Sequence, residues 1–256
     1  MAWHGKIIGG LLGFVMGGPL GAAAGATLGH AFVDKKNRLY TLTDSRSYSR
    51  QALSAPEHTQ TVFFTSVFSM LATMSKVDGK VSRDEIAVVE KFMKEELHLD
   101  ITSRTIAIQI FRQAVKSPES FEAFAGQFYS VFSSQPYIVD LVMDILFRVA
   151  GTDGTISKEE EVLLLSASNI FNYNRADYER MKSKYVSTNN YYYSILNCDP
   201  GASNEEIKKQ YRKLANEYHP DKIQSKGLPE GFIQFANEKF SEIQEAYTAI
   251  KKERGI

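Results

Sequence analysis

The chain has 256 residues, 43% of them hydrophobic, and its 30 basic and 30 acidic side chains cancel to a formal charge of zero. That length allows one to three domains with a real core, and the balance creates no overall field toward nucleic acid. One cysteine, Cys198, and five scattered histidines (His4, His30, His58, His98, His219) build neither a disulfide framework nor a zinc cluster. No glycine-rich phosphate loop, Gly-x-Ser-x-Gly elbow or His-Glu-x-x-His is present, so the motifs point away from an enzyme and no cofactor is expected.

The first element is "IIGGLLGFVMGGPLGAAAGATLGHAFV", residues 7 to 33, free of Asp, Glu, Lys and Arg, with Gly9, Gly13, Gly17, Gly21, Gly25 and Gly29 spaced four apart. As one helix it would reach roughly 40 Å, and about 20 residues suffice to cross the hydrocarbon core. Small residues at every fourth position let two helix backbones approach closely in lipid, so the row suits a membrane helix that pairs with a second copy. Two other readings stay open: a re-entrant hairpin broken at Gly17-Gly18-Pro19, and a cleaved signal peptide ending near Ala22-Ala23-Ala24. Lys35, Lys36 and Arg38 follow the segment, whereas Lys6 alone precedes it. The positive-inside rule then leaves a short N-terminus outside and the bulk of the chain in the cytoplasm.

Residues 34 to 56 are polar and aperiodic and read as a tether. From Thr59 the apolar spacing is helical, beginning with Val62, Phe63, Val67, Met70, Leu71 and Met74. Further amphipathic stretches fall at 83–97, 102–116, 120–133, 137–150, 158–171 and 175–186, and no run alternates like a strand. The fold class is therefore all-α.

Within this region "VDGKVSRDEI" from Val77 and "TDGTISKEEE" from Thr152 repeat one pattern. Ser82 with Glu85, and Ser157 with Glu160, have the spacing of capping boxes. The back half of each phrase imitates a calcium loop. The first and third ligand positions, however, would be Met74 and Lys76 in one copy and Val149 and Gly151 in the other, none with a side-chain oxygen. With these paired turns, residues 57–183 resemble the TerB-like tellurite-resistance domain, which implies an α-bundle of two related halves. The resemblance also keeps an alternative alive, a metal-responsive stress protein with an acidic patch of Asp78, Asp84, Glu85, Asp153, Glu159 and Glu160. The plainer account is that these acids sit at solvated helix N-termini and complement the dipoles.

The last element, residues 191–256, opens "YYYSILNCDPGASNEEIKKQYRKLANEYHPDK". A short helix from Tyr192 to Leu196 stops at Asn197, and Ser203 with Glu206 forms a third capping box. Ile207, Tyr211, Leu214, Ala215 and Tyr218 line one face of the next helix, while Lys208, Lys209, Arg212 and Lys213 form a cationic strip beside it. Pro220 ends that helix. Phe232, Phe235, Ala236, Phe240, Ile243, Tyr247 and Ile250 make a partner helix that packs antiparallel on it. His219-Pro220-Asp221 is left at the tip of the hairpin.

Tyr-Tyr-Ser-Ile-Leu, the basic helix, His-Pro-Asp and "FSEIQEAY" occur in an order and spacing that resemble a J domain. "SKGLPEGF", together with the order of membrane segment, TerB-like domain and C-terminal J domain, narrows the resemblance to the DjlA type of J-protein. One departure is Asn197, where J domains commonly carry Gly; Asn tolerates the left-handed conformation. The resemblance implies a co-chaperone at the bacterial inner membrane that binds the ATP-bound chaperone DnaK and accelerates its ATP hydrolysis. Lys208, Lys209, Arg212, Lys213 and Lys222 would position DnaK, and Asp221 would contact an arginine on it. Client proteins are also implied.

Overall fold

A computed structural model describes residues 17–19, 21, 55–76, 83–152, 155–186 and 191–255 of the chain. Among these there is no strand, and helices follow one another throughout, as the periodicity requires. The tether before residue 55 and four glycines of the row, Gly9, Gly13, Gly25 and Gly29, lie outside the described residues. No helix among the described residues is long and apolar enough to cross a membrane. Gly18 has φ 57°, a left-handed step, and a Cβ there would come within 2.9 Å of the Gln127 side chain.

Helix α1, Ala55–Met74, runs through the middle of the bundle. Val62, Phe63, Phe64, Val67 and Phe68 are all fully buried, so apolar residues face inward on every side, the mark of a central helix. Its polar residues are small, and the Thr61 and Ser69 hydroxyls donate to the carbonyls of Glu57 and Thr65 at 2.8 and 2.6 Å. Around it pack α3 (Ile101–Lys116), α4 (Phe121–Phe132) and α5 (Pro136–Ala150), with α6 (Lys158–Ile170) and α7 (Arg175–Val186) outside them. Asp100 caps α3 and Ser120 caps α4. Ser157 and Glu160 form a complete capping box on α6.

Helix α2, Arg83–Lys91, widens into a π-helical turn over Phe92–Glu96 before the chain leaves through His98, at φ 46°. Leu97 ends this turn, its backbone N–H donating to the Phe92 carbonyl at 3.0 Å. Gly231 of the C-terminal part of the chain passes close to the Leu97 carbonyl.

The C-terminal part consists of α8 (Tyr191–Ile195), α9 (Asn204–Glu217), α10 (Pro220–Gln224) and α11 (Glu230–Arg254). Asn197 leaves α8 at φ 54°, the left-handed geometry anticipated for it. Ser203 and Glu206 form the expected capping box on α9. The pairing of α9 with α11 is locked by Tyr211 stacked on Tyr247, with centroids 4.0 Å apart. Arg254 ties the end of α11 to Tyr193 and to the Ala202 carbonyl at 3.0 and 2.6 Å. Pro220 follows the end of α9, as expected of a residue that stops a helix. It also begins a new helical turn, because its ring presets φ and its missing N–H is not needed in the first turn.

One feature was not anticipated: α11 has two buried faces. Phe232 enters the bundle core, with its ring centroid 4.8 Å from Phe63, 6.0 Å from Phe64 and 6.3 Å from Phe68. Phe235 meets Phe92 edge-on at 5.9 Å. Beside them runs a chain of ion pairs. Asp144 on α5 contacts Lys239 at 2.9 Å, and Lys239 contacts Glu242 at 2.8 Å. Arg148 reaches Glu242 at 3.3 Å and Glu96 at 2.7 Å. Burial alone would raise the Asp144 carboxyl, but Lys239, Lys184 and Arg148 outweigh it and hold it below its usual range. Lys239 is raised in turn, because Asp144 and Glu242 overcome its own burial. Both partners are thus held charged, which a buried pair requires if it is not to cost stability.

Candidate functional site

The hairpin of α9 and α11 presents His219, Pro220 and Asp221 at its tip. His219 is the N-cap of α10: its Nδ1 accepts the Asp221 backbone N–H at 3.3 Å. The proton of a neutral ring is therefore on Nε2, the nitrogen that faces away from the cap. The ring stands edge-on to Phe240, with centroids 5.9 Å apart. The Asp221 carboxylate is 88% exposed and lies 3.7 Å from the His219 ring. A rigid turn thus holds an imidazole and a free carboxylate outward.

Beside the tip, Lys209, Arg212 and Lys213 are exposed on α9, and Lys208 is partly covered and paired with Glu205 at 3.6 Å. At 100° per residue, positions 208, 209, 212 and 213 spread over about 140° of the helix, so they form a band rather than a line. Lys222 bonds the Asn216 side chain at 2.8 Å and closes the gap between tip and band. Lys213, at the far edge, also borders a cleft of about 370 Å³ that contains Asp140, Tyr173 and Arg180. Four of the five cations, Lys209, Arg212, Lys213 and Lys222, are exposed.

Of the proposed acidic patch, Asp78 and Asp153 lie outside the described residues, as do the side chains of Asp84 and Glu85. Glu160 is committed elsewhere, its Oε2 accepting from the backbone N–H and hydroxyl of Ser157 at 2.9 and 2.8 Å. Glu159 is exposed beside it. Among the described residues no group of three or more His, Cys, Asp or Glu side chains is placed to hold a metal ion. Of the glycine row only Gly17 and Gly21 are described.

Three family models match the chain. Residues 64–183 match the tellurite resistance protein TerB family model, residues 191–255 the DnaJ domain, and residues 1–51 the co-chaperone DjlA transmembrane domain. The tip, basic helix and hairpin therefore make this a J-domain protein, the class that works with Hsp70-type chaperones. The co-chaperone protein DjlA of Shewanella oneidensis is 30% identical over 269 residues, and that of Coxiella burnetii 28% over 274, each aligned along the whole of both chains. The Escherichia coli K12 protein of the same name is 27% identical over 77% of this chain and 81% of its own. This chain belongs to the DjlA co-chaperone family. No solved structure matches it.

Sequence reading missed the second face of α11, made by Gly231, Phe232, Phe235, Lys239 and Glu242. One signal was available. Ile233 and Phe232 broaden the apolar arc of α11 beyond what a two-helix hairpin needs.

Proposed function

We propose that the chain binds DnaK through its J domain, stimulates ATP hydrolysis by DnaK and so recruits it to clients at the cytoplasmic membrane face. The observation that carries this reading is the outward His219-Pro220-Asp221 turn with an exposed cationic band next to it. The chain performs no chemistry of its own. The band steers and positions DnaK, whose complementary surface must be acidic. Asp221 supplies a charge-assisted contact to an arginine that is desolvated only in the complex. The work divides among a membrane segment at 1–33, a tether at 34–56, a TerB-like domain at 57–183 and a J domain at 191–256.

The test is to add the full chain to DnaK and ATP and follow phosphate release. Stimulation is expected, with half-saturation moving to higher concentration as salt is raised. Reversing Lys209 and Arg212 to Glu should weaken binding by slowing association, while circular dichroism stays unchanged because both side chains are exposed. Salt-independent stimulation, or full binding by the double reversal, would assign the contact to apolar groups instead.

The membrane segment is proposed to pair two copies through the glycine row, with the chain as a homodimer. Replacing Gly13, Gly17 and Gly21 by Leu should keep the segment in the membrane, since Leu is more apolar. It should abolish pairing in a two-copy transmembrane reporter, because the bulk separates the backbones. Leu at Ala22, Ala23 and Ala26 should disturb pairing less. Unchanged pairing in the glycine variant would leave the row as part of a monomeric or hairpin element.

A further inference from the structure

Five residues of the stretch from Lys226 to Phe235 touch the bundle: Lys226, Gly227, Gly231, Phe232 and Phe235. The Lys226 ammonium lies over the Tyr137 ring of α5 at 5.3 Å. Gly227 lies against Pro56 at the start of α1, where a Cβ would be 3.6 Å from the proline Cβ. Gly231 passes so close to the π-turn that a Cβ would come 2.3 Å from the Leu97 carbonyl oxygen and 2.7 Å from Leu99 Cδ2. Phe232 then fills the Phe63–Phe64–Phe68 pocket, and Phe235 lies between Phe92 and the Arg148 guanidinium. The hairpin has contacts of its own, with Tyr211 stacked on Tyr247 and Arg254 bonded to Tyr193 and the Ala202 carbonyl. Helix α11 thus serves two interfaces with two different sets of residues.

We propose that residues 226–235 are a docking insert that seats the J domain on the TerB-like bundle, so that the two form one rigid body with the His219–Asp221 tip aimed in a fixed direction. Its partner is the bundle of the same chain, recognised in three ways. The π-turn offers a carbonyl that only a glycine can approach. The aromatic pocket takes Phe232. The Asp144–Lys239–Glu242–Arg148–Glu96 chain sets the register, because sliding α11 along its axis would leave buried charges unpaired. Docking leaves the tip and the band exposed, so the seated J domain stays open to a partner. Anything held by the bundle is then presented at a set distance from the tip, unlike the range of distances a loosely tethered module would sample.

Gly231→Ala separates the alternatives by sign. At a helical φ, Ala favours helix over Gly, so a J domain that moves freely would be stabilised by the change. If α11 is docked, the added Cβ collides with backbone and the chain is destabilised. Spin labels at cysteines introduced at the exposed positions Gln109 on α3 and Gln244 on α11 report the relative placement directly. Cys198 can remain, since burial pushes its thiol up to about 11 and keeps it unreactive at neutral pH. In the full-length chain we expect one narrow distance distribution. Gly231→Ala should broaden it at least twofold and lower the melting temperature, while retaining helix content. A broad distribution before the glycine is changed overturns the proposal. So does Gly231→Ala with a narrow distribution and an unchanged or higher melting temperature. Neither readout involves DnaK, so the outcome stands apart from the reading of the tip.

Discussion

Asp221→Asn should remove nearly all stimulation of DnaK ATP hydrolysis while leaving the chain folded. The side chain is 88% exposed and lies 3.7 Å from the His219 ring, so little in the chain's own stability depends on the charge. The capping bond at this position comes from the Asp221 backbone N–H, which Asn retains. In the complex, the carboxylate would face an arginine away from water. Truncating one member of such a pair costs about 2–5 kcal/mol, roughly 30-fold or more in binding. His219 separates cap from contact. His219→Gln should lose stimulation as well, because its longer side chain places no acceptor where Nδ1 sits. His219→Asn can restore the capping acceptor yet lacks the ring against Phe240 and the outward nitrogen. If Asn at 219 stimulates and Gln does not, the histidine serves chiefly as the cap; if neither does, the ring itself is read. The measurement is phosphate release at saturating chain, with circular dichroism as the folding control. Full stimulation by Asp221→Asn would sink the proposed mechanism.

The tip was legible because its signals are local. Capping at Ser157 and Ser203 follows from a Ser and a Glu three residues apart, and both boxes close as spaced. Asn197 was readable because few residues besides Gly tolerate the left-handed geometry that ends α8. The amphipathic stretches gave helix positions to within a few residues, since a buried stripe must repeat near 3.6. What stayed hidden depends on distant partners. A lysine in a helix ordinarily reads as solvated, and nothing near Lys239 announces that Asp144 on α5 will meet it in the core. Periodicity assigns Phe232 and Phe235 to an inner face without saying whose core they enter. The π-turn at Phe92–Glu96 is equally silent, because one extra residue in a turn barely disturbs the hydrophobic spacing. Helix α10 was missed for a different reason: proline's power to end a helix was weighed without its fitness to begin the next one.

Phe232→Ala should be among the most destabilising single changes in the chain, although the residue lies in the J domain and the rings it touches lie in the bundle. The side chain is fully buried and meets three phenylalanines edge-on, with centroids 4.8 to 6.3 Å away. Removing it forfeits the transfer free energy of the ring and leaves a cavity that a tightly packed aromatic cluster cannot collapse, a loss of about 3–5 kcal/mol. The neighbouring charges make relaxation harder still, since moving α11 inward to fill the space would strain the Asp144–Lys239 and Arg148–Glu242 contacts. Phe232→Leu keeps most of the volume and should cost roughly half as much or less. Urea unfolding of the full chain, followed by amide hydrogen exchange in α1 and α11 separately, measures both size and reach. If the ring belongs to a core shared by the bundle and the J domain, protection in α1 must fall along with protection at the α11 interface. A loss below about 1 kcal/mol, or one confined to α11, would mean that Phe232 packs within the hairpin and that the bundle closes its core without it.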